Sequence, residues 1–177
     1  MSPEPHIVLI GLRGCGKSTL GKQLADALGR PFLDLDVFVS ERMGMGGPGA
    51  IIEEHGIERF RAEETAALAA AIEHPASVLA LGGGTPTAPG AMDLLVGDGV
   101  RVIYLRATPE TLTERLRHTD NTDRPALVGD DPVSEVRELF DQRDGIYQNL
   151  AESIVHVDGI HERSALAALV ALARAGV

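Results

Sequence analysis

The sequence is short of aromatic residues, of cysteine and of positive charge. It has no tryptophan, and phenylalanine and tyrosine together make up only 3% of its 177 residues, so alanine, leucine and valine have to fill the core. The length suits one globular domain, residues 1–177, with little room for a second. An apolar fraction of 44% and a charged fraction of 24% are ordinary for a folded chain, which argues against disorder.

Acidic residues outnumber basic residues, and the formal net charge is −10. This charge repels nucleic acid and anionic membrane surfaces, and no basic patch interrupts it, so neither is an expected partner. It also opposes the approach of a small anionic substrate, which predicts that specific arginines attract any such substrate locally. We expect a monomer whose partners are small molecules.

Cys15 is the only cysteine, which excludes an intramolecular disulfide and a zinc site built from cysteines. The first five residues are polar, and the apolar run that follows, His6–Gly11, is far too brief for a signal sequence or a membrane span. A lone thiol fits a reducing compartment. The expected location is the cytoplasm.

Short apolar runs alternate with longer segments of helical period, which predicts βαβ units and a parallel sheet covered by helices on both faces. The predicted strands are Ile7–Ile10, Pro31–Asp34, Ser77–Leu81, Val100–Leu105 and Ile154–Val157. The predicted helices are Lys17–Leu28, Glu58–Ile72, Pro109–Arg117, Val133–Glu152 and Arg163–Arg174.

Two stretches lack a regular pattern. Met43–Ala50 holds four glycines and a proline in eight residues, so we expect a mobile loop there. His118–Pro132 mixes Asp, Asn, Thr, Gly and two prolines without apolar periodicity. Because long loops in compact domains are often lids, this second stretch is a candidate lid.

The strongest motif is GLRGCGKST at Gly11–Thr19, which matches G-x-x-x-x-G-K-[ST] between a predicted strand and a predicted helix. In such a loop, backbone N–H groups from Gly14 to Thr19, including those of Cys15 and Gly16, converge on phosphate oxygens at a helix N-terminus. Lys17 reaches the β- and γ-phosphates, and the Ser18 hydroxyl binds Mg²⁺. The alternative is a glycine-rich turn with no ligand. Pattern and context together favour ATP binding.

Asp34 and Asp36 end the second predicted strand at its carboxyl edge. If the backbone is extended there, both carboxylates point to the same side, where one can order Mg²⁺ waters and the other can accept the proton of an acceptor hydroxyl. The alternative is a pair of solvated carboxylates that cap a helix starting near Val37.

Two further clusters concern the acceptor. FRAEE at 60–64 places Arg61 where its planar fork can bind a carboxylate, although a surface ion pair with Glu58 or Glu64 explains it equally well. LGGGT at 81–85 lets a ligand approach the backbone closely, although a bare glycine turn is the alternative.

Taken in order, these clusters resemble the shikimate kinase family. The resemblance covers nearly the whole chain and includes GLRGCGKST, FLDLD, FRAEE, LALGGG, the lid segment NTDRPAL at Asn121–Leu127 and QRDGIY at Gln142–Tyr147. It implies a three-layer α/β/α P-loop kinase fold with a five-stranded parallel sheet in the order 2-3-1-4-5 and a mobile lid. It also implies Mg-ATP-dependent phosphorylation of the 3-hydroxyl of shikimate, on the route to chorismate and the aromatic amino acids.

Carried over to this sequence, the resemblance makes Ser18 the metal ligand, with Asp34 behind it through water. It places Asp36 on the substrate hydroxyls, in a substrate-binding region at about 36–64, and it makes Arg61 and Arg143 the clamp for the carboxylate, with the Gly83 backbone beside them. Arg124 in the lid closes over ATP and stabilises the transferring phosphoryl group, as does Lys17. The chain departs from the family pattern at Gly145, where the family has proline, and around Ile52 and Ile57.

Two other functions remain open. A kinase for another polyol or sugar acid, such as gluconate, would keep Lys17, Ser18 and an acceptor-side aspartate but would not require both arginines with the glycine turn. A nucleotide-binding regulatory module that has lost phosphate transfer would not need to retain the full set of catalytic residues. A single-turnover measurement of phosphate transfer from labelled ATP distinguishes a kinase from such a regulatory module.

Overall fold

A computed structural model describes residues 4–119 and 133–175. In these residues, five strands form one parallel sheet in the order β2-β3-β1-β4-β5. The strands are β1 (His6–Ile10), β2 (Phe32–Asp34), β3 (Val78–Ala80), β4 (Val100–Arg106) and β5 (Ser153–His156). The predicted number, direction and order of the strands are confirmed.

Helices cover both faces of this sheet, with the first and last of them packed against each other. They are α1 (Lys17–Leu28), α2 (Leu35–Met43), α3 (Pro48–His55), α4 (Ile57–Ile72), α5 (Ala91–Leu95), α6 (Pro109–Arg117), α7 (Val136–Leu150) and α8 (Glu162–Arg174), with a 3₁₀ turn at Thr85–Thr87. The three-layer α/β/α fold is therefore confirmed.

The central strand β1 is buried along its whole length, which fits a parallel strand covered on both faces. The strand β2 begins one residue later than predicted, because Pro31 has no N–H group for the sheet. The Pro31 carbonyl still accepts a hydrogen bond from the Val78 N–H at 2.9 Å.

The composition of the glycine-rich stretch Met43–Ala50 predicted one irregular loop. This prediction is wrong at both ends of the stretch, where the residues are helical. Helix α2 extends to Met43 and ends at Gly44, which has a φ of 65°. Helix α3 already begins at Pro48, a residue that suits the first position of a helix because its φ is preset. Only residues 44–47 link the two helices.

The predicted lid, His118–Pro132, lies largely outside the described residues; only its first two residues, which follow the end of α6, are described. Helix α7 begins at Val136, three residues later than predicted. Within 4–119 and 133–175, no helix has the length and apolar character to cross a bilayer.

Candidate active site

The loop between β1 and α1 passes close to β4. Gly11, Gly14 and Gly16 all have positive φ, which side chains rarely tolerate. A Cβ atom on Gly11 would lie 2.6 Å from the Leu105 carbonyl oxygen and 2.7 Å from the Cys15 Sγ. Glycine is therefore required there on both conformational and steric grounds.

Lys17 begins α1 and is buried against this loop. Its Nζ donates to the carbonyl oxygens of Gly11 at 2.7 Å and Leu12 at 3.1 Å. The Cys15 thiol is also buried, 3.6 Å from that Nζ, so only the backbone of Cys15 is suited to a ligand. The loop therefore offers backbone donors and a fixed cation, the groups that a polyphosphate requires.

Ser18 and Thr19 are exposed at the start of α1. The Ser18 hydroxyl donates to Asp34 Oδ2 at 2.5 Å, and Asp34 Oδ1 accepts from the Asp36 N–H at 3.1 Å. Asp34 thus caps α2, as one alternative had it, and also accepts a direct hydrogen bond from Ser18, which places the two predicted metal-site residues side by side. Asp36 lies in the first turn of α2, so the two aspartates do not share an extended segment.

These oxygen donors fit Mg²⁺. A hydroxyl and a carboxylate are hard ligands, and Mg²⁺ typically binds one or two protein groups while keeping several waters. Among the described residues, no group of three or more His, Cys, Asp and Glu side chains could hold a metal by itself. Ser18 and Asp34 are therefore the candidate ligands, in a site that a bound nucleotide would complete.

Two pockets meet at Asp36. The first, which we call the phosphate pocket, is lined by Gly14, Gly16, Lys17, Ser18, Thr19, Asp34 and Arg115. The second, which we call the acceptor pocket, is lined by Ile52, Phe60, Arg61, Glu64, Gly82, Gly83, Gly84 and Arg143. Asp36 and Arg13 line both of them. A group held in one pocket can therefore lie next to a group held in the other.

Arg61 is held in the acceptor pocket by a buried carboxylate. Its Nη1 donates to Glu64 Oε2, and the Thr85 hydroxyl donates to Glu64 Oε1 at 2.5 Å. Glu64 is fully buried, and this burial raises the pKa of its carboxyl group, opposed by the charge of Arg61 and the two hydrogen bonds. Arg61 thus forms the predicted ion pair with Glu64 and also lines the pocket.

Gly84 makes room for the Arg61 side chain. A Cβ atom at this position would lie 2.0 Å from Arg61 Nη2. The glycine run therefore serves the arginine as well as any ligand that approaches the backbone.

Arg143 reaches the same pocket from α7. Its Nη1 donates to the Gly83 carbonyl at 3.1 Å, and the Tyr147 hydroxyl donates to the same oxygen. Tyr147 is buried, its ring meets that of Tyr104 edge to face at 5.3 Å, and burial raises the pKa of Tyr147 to about 12. Two guanidinium groups, from α4 and α7, thus lie around one glycine turn.

The structure brings together every predicted site residue that it describes, except that Cys15 turns its side chain inward. Arg124 and the segment Asn121–Leu127 lie outside the described residues.

Arg115 is a site residue that the sequence did not reveal. Its guanidinium donates to the carbonyls of Gly14 at 3.2 Å and Val157 at 2.8 Å. It lines the phosphate pocket and a neighbouring pocket that also includes Ile160 and Glu162. Its position on α6, between the buried Leu112 and Leu116, shows only an amphipathic helix, so no sequence signal marks it.

The sequence model of the shikimate kinase family matches residues 13–173. The chain belongs to the shikimate kinase family. A shikimate kinase of Thiobacillus denitrificans is 41% identical over 155 residues, which cover 88% of this chain and 82% of the relative.

Two solved structures bear on the acceptor. The shikimate kinase from Acinetobacter baumannii in complex with shikimate superposes with a TM-score of 0.86 at 32% identity, covering 95% of this chain and 92% of the other. A gluconokinase from Sinorhizobium meliloti reaches a TM-score of 0.59 at 20% identity over 96% of this chain and 94% of its own. The second likeness concerns the fold alone.

Proposed function

We propose that this chain transfers the γ-phosphoryl group of ATP to the 3-hydroxyl of shikimate, giving shikimate 3-phosphate and ADP. One observation carries the proposal: Arg61 and Arg143 converge on the Gly83 turn in a pocket that meets the phosphate pocket at Asp36. In a chain with a net charge of −10, two arginines in one pocket are the local attraction that a carboxylate substrate needs.

Each group has a role in the transfer. The new bond joins the substrate oxygen to the γ-phosphorus, and the bond from that phosphorus to the β–γ bridging oxygen breaks. Asp36 lies where the two pockets meet, so its carboxylate can accept the hydroxyl proton. Lys17 would stabilise the charge on the phosphate oxygens, and Arg124 is proposed to share this role.

Mg²⁺ is the proposed cofactor, held by Ser18 directly and by Asp34 through water. When bound, the ion would neutralise negative charge on the phosphates of ATP. The backbone of Gly14, Cys15, Gly16 and Thr19 would cradle the ATP phosphates, as the positive φ of the loop glycines allows.

We also propose one kinase domain over residues 1–177, with its acceptor region at about 36–64 and its lid at about 118–132. We propose further that the protein is a monomer and is located in the cytoplasm. Sedimentation equilibrium at assay concentrations checks the monomer, since a dimer would have twice the mass.

The test replaces the shikimate carboxylate with a neutral amide. A partly buried charge-assisted pair contributes about 1.5–3 kcal/mol, so the wild type should lose roughly ten- to a hundredfold in kcat/KM on the amide. Arg61→Ala should lose a similar factor on shikimate and should lose less than the wild type when the amide replaces shikimate, because only one arginine of the clamp then remains. Arg61→Lys should not rescue fully, because lysine lacks the planar fork. Equal use of both compounds by the wild type would contradict the proposed substrate.

A further inference from the structure

A cluster of polar side chains lies behind the acceptor pocket, on the side of α7 that faces β4. At its centre, the Asp144 carboxylate accepts four hydrogen bonds. Arg106 donates through Nε to Oδ1 at 2.8 Å and through Nη2 to Oδ2 at 2.9 Å, and the donors Tyr104 (2.8 Å) and Gln148 (2.7 Å) complete the set. The Asp144 side chain is only 13% exposed.

This cluster attaches α7 to the sheet. Arg106 is the last residue of β4, and its guanidinium also lies 5.2 Å from the centre of the Phe140 ring, one helical turn before Asp144. The two-pronged pair fixes direction as well as distance, because the planar guanidinium matches both carboxylate oxygens. The rotation of α7 about its own axis is therefore fixed at Asp144.

The attachment matters because Gly145, a residue with a flexible backbone, is a weak point in the same part of α7. It lies inside α7, next to Asp144, and nothing is within 4 Å of where its Cβ would be. A glycine within a helix leaves the backbone freer than any other residue does. Arg143 lies on one side of this weak point and Tyr147 on the other, and both donate to the Gly83 carbonyl. Without an external anchor, the helical geometry that aims Arg143 would be poorly specified.

We infer that Asp144, through its pair with Arg106, is a positioning residue that holds the Arg143 guanidinium in place for the acceptor carboxylate. The inference rests on the proposed function, since it concerns the same clamp. Asp144 does not itself line the acceptor pocket. Its effect on the reaction is thus transmitted through the adjacent residue of the helix.

The test compares Asp144→Asn with the wild type, using steady-state kinetics well below the unfolding temperature of either protein. Loss of the charge should raise KM for shikimate about tenfold, the equivalent of one misplaced charge-assisted contact, and leave KM for ATP within about twofold. Arg106→Lys should act in the same direction but less, because it keeps the charge and loses the fork. It also serves if Asp144→Asn does not fold.

Gly145→Ala provides a rescue that a merely structural role would not predict. Alanine stiffens the helix at position 145, so the double variant Asp144→Asn/Gly145→Ala should reverse at least half of the increase in log KM for shikimate. Glu152→Gln is the matched control, because it removes the partner of another arginine of β4, Arg101 at 3.5 Å, away from the pocket. It should leave both KM values unchanged.

The experiment distinguishes a failure of the proposed function from a failure of this inference alone. A wild type that does not phosphorylate shikimate overturns both the proposed function and this inference. A wild type that does, with equal changes in both KM values in Asp144→Asn, or with no recovery in the double variant, overturns the inference alone. An increase in KM that is confined to shikimate and is reduced by Gly145→Ala supports the inference.

Discussion

The Arg61 guanidinium occupies the space that a side chain at position 84 would need, so only glycine fits at that position. Gly84 has a φ of −101°, which any residue can adopt, so the constraint there is steric rather than conformational. Gly84→Ala should therefore displace the guanidinium and reproduce the kinetic defect of Arg61→Ala, a loss of about ten- to a hundredfold in kcat/KM for shikimate. ATP affinity should be unchanged. The measurement is kcat/KM for shikimate together with the Kd for ATP.

Gly46→Ala is the control for that prediction. Gly46 has no atom within 4 Å of its hypothetical Cβ, and its φ is not positive. Gly46 lies within the stretch 36–64 but does not line the acceptor pocket, so Gly46→Ala should leave kcat/KM for shikimate unchanged. A Gly84→Ala enzyme with wild-type kinetics would mean that Arg61 does not need its observed position.

The buried, hydrogen-bonded position of His6 predicts that the protein loses stability in acid. Its Nδ1 accepts from the Ser77 N–H at 3.3 Å, and its Nε2 lies 3.1 Å from the Ile72 carbonyl, which together require the neutral ring with its proton on Nε2. Burial lowers the pKa of His6 below the ordinary value of 6.5. As the pH falls through 6.5, the unfolded chain takes up this proton first, so the free energy of unfolding should fall.

The measurement is the free energy of unfolding by urea between pH 8 and pH 5, with and without His6→Asn. The contribution of His6 is complete above the unfolded pKa and is lost as the pH drops towards the folded pKa. His6→Asn should flatten the pH dependence, whereas the same change at the exposed strand residue His156 should not. Parallel curves for the wild type and His6→Asn would contradict this role of His6.

At the scale of the elements, the sequence predicts the long and strongly patterned ones. The helix α1 has its predicted bounds, because a phosphate loop precedes it and Gly29, at a φ of 64°, ends it. The helices α2, α3 and α5 have only five to nine residues and little periodicity, so no sequence pattern distinguished them from loops. In α3, the favourable position of Pro48 outweighed the glycine content of its surroundings.

Two glycines of similar surroundings should respond oppositely to alanine. Neither Gly145 nor Gly29 has an atom near its hypothetical Cβ. Gly145→Ala should stabilise the fold by about 0.5–1 kcal/mol, because it reduces the freedom of the unfolded chain without strain. Gly29→Ala should destabilise it by about 1–2 kcal/mol, because its positive φ disfavours a side chain. Urea unfolding of both variants measures the difference, and a change of the same sign in both would contradict the account.

At the scale of the whole molecule, the order of the motifs predicts where they meet. The phosphate loop follows β1, Asp34 ends β2 and the glycine turn follows β3, and the carboxyl ends of parallel strands form a single edge. Arg61 on α4 was a candidate from its own motif, whereas Arg143 on α7, and so the two-arginine clamp, was expected only from the resemblance to a family. The positions of Arg115 and Asp144 could not be predicted, because the long-range contacts of a charged side chain leave no local pattern in a sequence.

Shikimate is the proposed acceptor of the phosphate. The most direct measurement is kcat/KM with Mg-ATP for shikimate, quinate and gluconate, with phosphorus NMR of the product to identify the esterified hydroxyl. We predict that shikimate is preferred and carries its phosphate on the 3-hydroxyl. Faster transfer to gluconate, or ATP binding without transfer to any of the three compounds, would contradict it.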